Sequence, residues 1–442
     1  MPATPFDSLH LHHLFPAGEI GRLFSDSAEL RAMMLVEGTL AQAQAAAGLI
    51  PEESAKAIHR AGLEIQIDPA ALATATGPNG VSVPALVAEF HKEMQAPEHA
   101  QYLHWGATSQ DIQDTALMLR LGRSLRLMAE ELDHIVGTLG ALADTHADLP
   151  MAARTWGQHA TPTSFGAQLA AWGWPLLDAL KALPALRRDC LWVSLSGAAG
   201  TASELGPDPA ALRADLAKRL ALQDPGRSWH SDRSPILGIA GWMARVTMAL
   251  GKVGEDSITA AQSGIGEMTL GATGSSSTMP QKQNPVGPSA MVALAHHVQG
   301  LHSTLQGALI HRQQRDGAAW FTEWLTLPQL VISTAACLGQ ARMLVDDLAP
   351  VPEAMTQTLN ASGGFILAER ISFALTQTLR RPEAQAEVKR LATLARDTGR
   401  TLTDVTQEAH PDLPQEVFDI SAALGTAPNE ARNFAKASQA FR

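Results

Sequence analysis

The sequence predicts an all-α protein whose long helices pack side by side as a bundle. The first observation is an apolar stripe over 117–142, where Leu, Met and Ile recur every three or four residues, the spacing of one helix face. Two further stripes of this kind run through 239–253 and 291–309. Alternating segments, by contrast, are limited to 64–67 and 191–195, which are too few for a sheet. Long helices with such stripes bury them best against one another.

The helices can be placed in chain order from their composition and periodicity. The stripe at 117–142 predicts a rod of roughly 40 Å. The segment 163–189 also favours helix, with kinks or breaks near Pro175 and Pro184. The predicted helical segments are 28–49, 84–94, 117–142, 163–189, 239–253, 291–309 and 329–347.

Three domains are predicted, with soft boundaries. An N-terminal helical domain covers 1–112, and a central long-helix domain covers 113–359. The second boundary lies where NASGG at 360–364 interrupts the helical pattern, so 360–442 forms a C-terminal domain. That domain is predicted to contain shorter helices separated by turns such as TGRT at 398–401.

Composition excludes several classes of protein. The 442 residues are 45% hydrophobic and 17% charged, which excludes wholesale disorder. A net charge of −11 argues against nucleic acid as a partner, and two cysteines exclude a disulfide framework. HLHH at 10–13 lacks a fourth ligand, so we expect no metal site. Without a signal-peptide pattern or an apolar run of about 18 residues, we expect a cytoplasmic protein with no membrane association.

The segment GSSSTMPQKQNP at 274–285 carries the most chemical information. Glycine and proline flank three serine hydroxyls, and Lys282 and Asn284 supply a cation and an amide that can both hold a carboxylate. By composition alone, this segment is typical of a flexible linker. The order of its residues favours a binding loop instead.

This segment resembles the signature loop GSSxMPxKxNP of the fumarase/aspartase superfamily. Aligned on MPxKxNP, Ser275 stands where the family has Gly, and Ser276 matches the serine that is catalytic in the family. The resemblance implies that Ser276 is the catalytic residue and that Lys282 and Asn284 hold the substrate. The Gly-to-Ser change at 275 leaves open which serine of 275–277 acts.

Two further segments resemble conserved regions of the same superfamily, in the same order. HWGATSQDIQDT at 104–115 matches the first region, and RTWGQHATPTSFG at 154–166 matches the second. The resemblance implies that substrate is bound by Thr108, Ser109, Gln110, Arg154, Thr155, Trp156 and Gln158. Taken alone, the first segment is also typical of a Ser/Thr helix cap, and the two functions are compatible because helix starts bind anions.

The residue at position 156 narrows the predicted reaction. Lyases of the superfamily usually carry His there, which assists the departure of an amine, whereas this chain has Trp156. Expelling an amine nitrogen requires a proton donor, but a carboxylate, whose acid has a pKa of roughly 4, does not. Bacterial 3-carboxy-cis,cis-muconate cycloisomerases resemble this chain in having Trp. His159 could supply the proton instead, although a packing role is more typical of such a residue.

The resemblance implies a cofactor-free enzyme that lactonises a substituted muconate, with the adenylosuccinate or argininosuccinate type of lyase as the alternative. Its partner is a small anionic di- or tricarboxylate. Arg315, in the charged stretch 311–324, is a further candidate for a substrate carboxylate, and a surface ion pair is the competing interpretation. The superfamily also implies a homotetramer with active sites shared between subunits, which would give the long stripes their partners.

Overall fold

The computed structural model describes residues 4–271, 274–275, 279 and 282–441. Helices dominate this part of the chain, so the predicted all-α class is confirmed. Its α-helices are α1 (Gly18–Leu23), α2 (Asp26–Ala46), α3 (Glu52–Glu64), α4 (Ala73–Asn79), α5 (Val83–Met94), α6 (Pro97–Ala100), α7 (Ser109–Thr145), α8 (Phe165–Cys190), α9 (Pro209–Arg219), α10 (Ser234–Ala260), α11 (Val286–Gln306), α12 (Gly317–Asp347), α13 (Pro352–Ala361), α14 (Ala368–Leu375), α15 (Arg381–Thr398), α16 (Leu402–Ala409) and α17 (Ala427–Phe441).

The β structure of the described residues consists of three short antiparallel pairs. Strands β1 and β2 form a hairpin, β3 pairs with β6, and β4 pairs with β5. Neither 64–67 nor 191–195 forms a strand of a sheet, and Trp192 makes only an isolated bridge to Gln223. The strands are β1 (Pro150–Thr155), β2 (Gln158–Ser164), β3 (Met268–Thr269), β4 (Gly274–Ser275), β5 (Gln283–Asn284) and β6 (Ala349–Pro350).

The three apolar stripes that predicted rods lie on α7, α10 and α11. The stripe of α7 is buried along its central part, as its 3.6-residue periodicity requires. Its completely buried members are Leu121, Leu125, Met128, Leu132, Ile135 and Leu139.

Helix α8 runs through Pro175 and Pro184 as one continuous helix, so a predicted break is wrong, whereas a kink at either proline stays a prediction. Both prolines are exposed to solvent, so neither ring is packed against another element. Between them the helix is buried through Leu176, Leu177 and Leu180, and this packing holds the helix together.

The chain forms two compact units. Unit 1 consists of Met1–Glu131, Ala179–Met248 and Ala293–Gly339, and unit 2 consists of Leu132–Asp178, Ala249–Val292 and Gln340–Arg442. The long helices α7, α8, α10, α11 and α12 contribute residues to both units. The division into domains at 112 and 360 stays a prediction.

In unit 1, α2 packs against α3 through close backbone approach. A side chain at Gly62 would place its Cβ 2.8 Å from the carbonyl oxygen of Met34, and one at Gly38 would meet His59 at 3.0 Å. Glycine is therefore required at both helix crossings.

In unit 2, the C-terminal helices share an apolar cluster that includes Ile371, Leu391 and Leu402. The turn predicted at 398–401 ends α15, where Gly399 has a φ of +66°, and Thr401 caps α16 by accepting from the Asp404 amide. The prediction of short helices in this region is confirmed.

Within the described residues, one helix, α10, is long and apolar enough to cross a membrane. Of its apolar window, 61% is buried inside the protein. A core helix has this pattern.

Candidate active site

Two of the predicted substrate-binding hydroxyls lie at the N-terminus of α7. Thr108 precedes the helix, and Ser109 is its first residue. Among the described residues, neither hydroxyl has a hydrogen-bond partner. The first backbone amides of a helix carry partial positive charge and lack partners within the helix. The two hydroxyls and these amides together form a surface suited to a carboxylate.

Asp111 holds this helix start in place. Its side chain is fully buried and accepts five hydrogen bonds of 2.8–3.1 Å within unit 1. The donors are the amides of Thr108, Ser196 and Gly197, the hydroxyl of Ser194 and Nε2 of His230. The carboxylate is therefore a structural anchor that fixes the position of Thr108 and Ser109.

Gln110 and Arg315, two of the predicted site residues, contact each other directly. The Arg315 Nε donates to the Gln110 Oε1 at 2.7 Å, and the Gln110 Nε2 donates to the carbonyl of His230 and to Asp114. The side-chain amide of Gln110 thus has protein partners on both its oxygen and its nitrogen, and it positions the guanidinium. No carboxylate of the described residues forms an ion pair with Arg315, so the competing interpretation as an ion pair finds no partner there.

A buried charge cluster lies beside this contact. Arg233 donates two hydrogen bonds to Asp114 and two to Glu323, at 2.7–2.9 Å, and all three side chains are 1% exposed. Burial alone would lower the pKa of Arg233, but the two carboxylates outweigh burial and raise it. Arg233 therefore stays charged. Because Asp114 also accepts from Gln110, the cluster fixes the Gln110–Arg315 pair.

Thr155, Trp156 and Gln158 lie at the tip of the β1–β2 hairpin. Thr155 pairs with Gln158, and the two residues between them have positive φ, +56° at Trp156 and +73° at Gly157. Positive φ at both positions is the geometry of a type I′ turn, which matches the twist of a hairpin. The Trp156 side chain is 100% exposed. This large apolar side chain therefore has no cover within its own chain.

Arg154 lies on β1 and is paired with Glu267. Its two terminal nitrogens donate to the two carboxylate oxygens at 2.7 and 2.9 Å. The Glu267 side chain is 1% exposed and that of Arg154 is 18% exposed. The guanidinium that was predicted to hold a substrate carboxylate thus already holds a carboxylate of its own unit, and a direct contact with substrate stays a prediction.

The two described ends of the signature segment form a short antiparallel strand pair in unit 2. Gly274 pairs with Asn284 and Ser275 with Gln283. Lys282 is exposed, and its amide donates to the carbonyl of Met279. Among the described residues, the side chains of Lys282 and Asn284 have no partner. The predicted catalytic residue, Ser276, lies outside the described residues, so its role stays a prediction.

The predicted site residues are divided between the two units. Unit 1 contains Thr108, Ser109, Gln110 and Arg315, and unit 2 contains Arg154, Thr155, Trp156, Gln158, Lys282 and Asn284. Among the described residues, no cluster of three or more His, Cys, Asp or Glu side chains is arranged to hold a metal ion.

Sequence reasoning missed the charged residues that support these side chains. Arg233, Glu323 and Glu267 are buried and ion-paired, but the sequence analysis assigned them no role. Glu323 could have been recognised from the sequence, because it lies in the aromatic-rich segment WFTEW. A carboxylate buried among aromatic side chains needs an oppositely charged partner. The partner, 90 residues away, has no sequence signal of its own.

Comparisons with known proteins identify the same family that the three sequence motifs resemble. A family model described as Lyase (Lyase_1) matches residues 15–300. The chain is 36% identical over 375 residues to a 3-carboxy-cis,cis-muconate cycloisomerase from Pseudomonas putida, covering 84% of this chain and 89% of the relative. It is 34% identical over 425 residues to a nitrosuccinate lyase from Streptomyces davaonensis, covering 91% and 89%.

The fold comparison gives the same result. The crystal structure of the 3-carboxy-cis,cis-muconate lactonizing enzyme from Pseudomonas putida superimposes with a TM-score of 0.92 at 32% identity, covering 98% of this chain and all of that chain. Both the family match and the identity to these relatives extend over most of the chain. The chain therefore belongs to the fumarase/aspartase (Lyase_1) family of lyases.

Proposed function

We propose that this enzyme lactonises 3-carboxy-cis,cis-muconate or a closely related substituted muconate. The observation that carries the proposal is Trp156, at the position where lyases that expel an amine carry His. Trp156 can neither donate the proton that an amine leaving group needs nor accept one. A reaction in which a carboxylate adds to an alkene needs no such donor, because the carboxylate is anionic at neutral pH.

In the proposed mechanism, a carboxylate of the substrate attacks an alkene carbon four atoms away and closes a five-membered lactone. The electron pair of the alkene moves onto the carbon beside a second carboxylate, which gives an enediolate-like dianion. Ser276 then transfers its hydroxyl proton to that carbon, so a C–H bond forms as the serine O–H bond breaks, and a proton from solvent restores the serine. A serine hydroxyl is a weak acid and a weak base at pH 7, so amides and cations of the loop must stabilise its charged form.

The described residues offer groups for the carboxylates of such a substrate. Thr108 and Ser109 present hydroxyls at a helix start, and Arg315 presents a guanidinium that no carboxylate of the described chain neutralises. Lys282 and Asn284 add a cation and an amide in the other unit. Through the resemblance to the superfamily, we propose that these groups bind the anionic substrate and hold it bent, which lowers the entropic cost of ring closure.

The same proposal covers the setting of the reaction. We infer a cofactor-free cytoplasmic enzyme of aromatic-acid catabolism that assembles as a homotetramer with shared active sites. The resemblance to the cycloisomerases supports this inference, as does the exposed Trp156, which a neighbouring subunit would cover.

The test is a direct assay on the purified protein. With 3-carboxy-cis,cis-muconate as substrate, we expect the ultraviolet absorbance of the conjugated diene to disappear, and Ser276→Ala to lower kcat at least ~10³-fold. Ser275→Ala and Ser277→Ala are the matched controls and should retain most of the activity. No loss of absorbance with any muconate would refute the proposal, and a larger loss of kcat in a control would reassign the catalytic serine.

A second candidate is an elimination that releases a weakly basic anion from a substituted succinate. The relative named nitrosuccinate lyase, 34% identical over 91% of this chain, favours it. Such a leaving group also needs no proton donor, so Trp156 is compatible with both reactions. Nitrosuccinate turnover without muconate turnover would select this candidate, whereas fumarate release from adenylosuccinate would favour the amine-expelling alternative.

A further inference from the structure

The candidate substrate site continues into a cavity of about 220 Å³ in unit 1. The Arg315 guanidinium lies at its edge, with Cζ 6.0 Å from the centre of the Trp320 ring, and this ring lines the cavity. Asp114 is a second connection, because it lines the cavity and also accepts a hydrogen bond from Gln110. A molecule held by Arg315 can therefore extend into the cavity.

Two helix faces form the walls of this cavity, which we call the tryptophan slot after Trp320 and Trp324. These two residues lie one turn apart at the start of α12, and their ring centroids are 4.9 Å apart. On α7, the residues Gln113, Leu117 and Arg120 share one face and form the other wall. A flat, conjugated group can contact an indole ring over its whole face, whereas a puckered chain cannot. The lining of the slot therefore favours a planar ligand.

The charges around the tryptophan slot are balanced, with one guanidinium left over for a ligand. The carboxylates in its wall are those of Glu29, Asp114 and Glu323. Arg233 binds both Asp114 and Glu323, and Arg120 lies 3.7 Å from Glu29. Arg315 is the third cation, and no carboxylate of the described residues pairs with it. The Arg315 end of the slot is thus suited to a carboxylate of the ligand.

The other end of the slot offers polar atoms without partners. Arg120 follows Gln110, which holds Arg315, by ten residues on α7, a rise of about 15 Å along the helix axis. The Arg120 side chain is 10% exposed, and its Nε is buried without a hydrogen-bond partner among the described residues. The buried Oε1 of Gln113 also lacks one there. Because buried polar atoms are normally hydrogen-bonded, a ligand oxygen can accept from Arg120, and water can bridge Gln113 to it.

We propose that Trp320 and Trp324 are specificity-determining residues that select a flat, conjugated dicarboxylate as the substrate. One carboxylate binds Arg315, the planar chain lies against the two indole rings, and the other carboxylate accepts from Arg120. This inference rests on the proposed function and narrows it. The diene of a muconate is flat, whereas a substituted succinate has tetrahedral carbons between its carboxylates. The tryptophan slot therefore favours lactonisation of a muconate over elimination from a succinate.

The test compares two inert dicarboxylates in calorimetric titrations of the full-length protein. Benzene-1,4-dicarboxylate is flat, whereas trans-cyclohexane-1,4-dicarboxylate has the same charges and a similar length but a puckered ring. We expect the flat probe to bind at least about tenfold more tightly. Equal affinities, or no binding of the flat probe, would overturn the proposal. Neither probe can form a lactone, so a preference for the flat probe in a protein that turns over no muconate would support the slot and refute the proposed function.

Two variants locate the flat probe within the slot. Trp324→Leu removes a ring that is 36% exposed, so the fold should survive, and the preference for the flat probe should fall below about threefold. Arg120→Gln should weaken benzene-1,4-dicarboxylate about tenfold and change the affinity for benzoate, which lacks the second carboxylate, less than about twofold. The control Phe373→Leu removes an exposed ring in unit 2 and should change neither affinity. A preference that survives Trp324→Leu would overturn the assignment of the slot.

Discussion

Buried charges in this protein have partners within their own unit, whereas several polar side chains of the predicted site have none. The Glu267 and Asp111 carboxylates are buried and surrounded by donors. Thr108, Ser109 and Gln158 lie at a helix start and a hairpin tip without side-chain partners among the described residues. Because leaving a buried charge unpaired costs several kcal/mol, we infer that the paired groups stabilise the fold. Ligand binding by the unpaired polar groups stays a prediction.

The Arg154–Glu267 pair gives a direct test of this assignment. Arg154→Met leaves the Glu267 carboxylate buried without a partner and should lower the free energy of unfolding by about 3 kcal/mol. The double variant Arg154→Met/Glu267→Leu should recover most of that loss, because it removes the orphaned charge. Urea unfolding measures both. The control is Arg188→Met, which breaks the exposed pair with Asp189 and should cost about 0.5 kcal/mol or less. An unchanged stability in Arg154→Met would show that the pair is not structural.

The contact between His104 and Glu37 predicts a pH-dependent contribution to stability. Burial alone would lower the pKa of His104, but the Glu37 carboxylate, 2.6 Å from its Nδ1, outweighs burial and raises the pKa. The folded protein thus binds this proton more tightly than the unfolded chain. The contribution is complete below the unfolded pKa of about 6.5 and is lost as pH rises through the raised folded value.

Glu37→Gln should therefore destabilise the protein by about 1–3 kcal/mol at pH 6 and by clearly less at pH 9. Urea unfolding at both pH values checks this, with wild type measured in parallel. A loss of equal size at the two pH values would contradict the assigned ion pair.

At the scale of secondary-structure elements, close helix packing depends on particular glycines. In unit 2, a Cβ at Gly173 of α8 would lie 1.9 Å from the ring of Phe434 on α17. Gly300, on α11, is exposed, and a Cβ added there would have no neighbouring atom within 4 Å. Glycine at position 173 thus allows the close packing of two helices, whereas glycine at position 300 has no neighbour that requires it.

These two glycines should respond oppositely to the same substitution. Gly173→Ala should destabilise the protein by about 1–3 kcal/mol through overpacking. Gly300→Ala should stabilise it by about 0.5–1 kcal/mol, because alanine favours helix and meets no neighbour. Thermal melting of both variants checks the sign. Destabilisation by Gly300→Ala would indicate a contact that a single chain does not contain, such as a subunit interface.

At the scale of the whole molecule, the exposed tip of the β1–β2 hairpin is the feature that a single chain leaves unexplained. Trp156 is completely exposed and has a positive φ, which is unfavourable for a bulky side chain. The hairpin turn accounts for the positive φ, and a partner surface that covers the ring would account for its exposure. The proposed homotetramer with shared active sites supplies such a surface.

The assembly can be tested by mixing two inactive variants. Ser276→Ala and Arg315→Met should each lose activity, and random co-assembly should restore about one quarter of it if each site takes these residues from different subunits. Light scattering should give a mass of about four 46.9 kDa chains. An active monomer, or no recovery in mixed tetramers, would contradict shared sites.

Local patterns predicted most of the fold, and the reasons are physical. The stripes of α7, α10 and α11 were recognisable because burial on one side of a helix repeats every 3.6 residues. The hairpin at 150–164 was missed because its turn contains Trp-Gly rather than the usual Asn-Gly, and its strands do not alternate clearly. The continuation of α8 through its prolines depends on the tertiary packing of its buried leucines, which local sequence does not reveal.

The sequence by itself determined the helical class and the family, through three motifs whose order and spacing are properties of the chain. The proposal based on Trp156 also follows from residue type alone, because an indole cannot supply the proton that a histidine would. Only the tertiary structure decided which charged side chains form ion pairs. Arg154 pairs with Glu267, and Arg233 pairs with Asp114 and Glu323. These partners are separated by about 90 to 120 residues and come into contact only in the folded chain. The free-energy cost of burying each charge depends on that contact, because the partner compensates for the lost hydration.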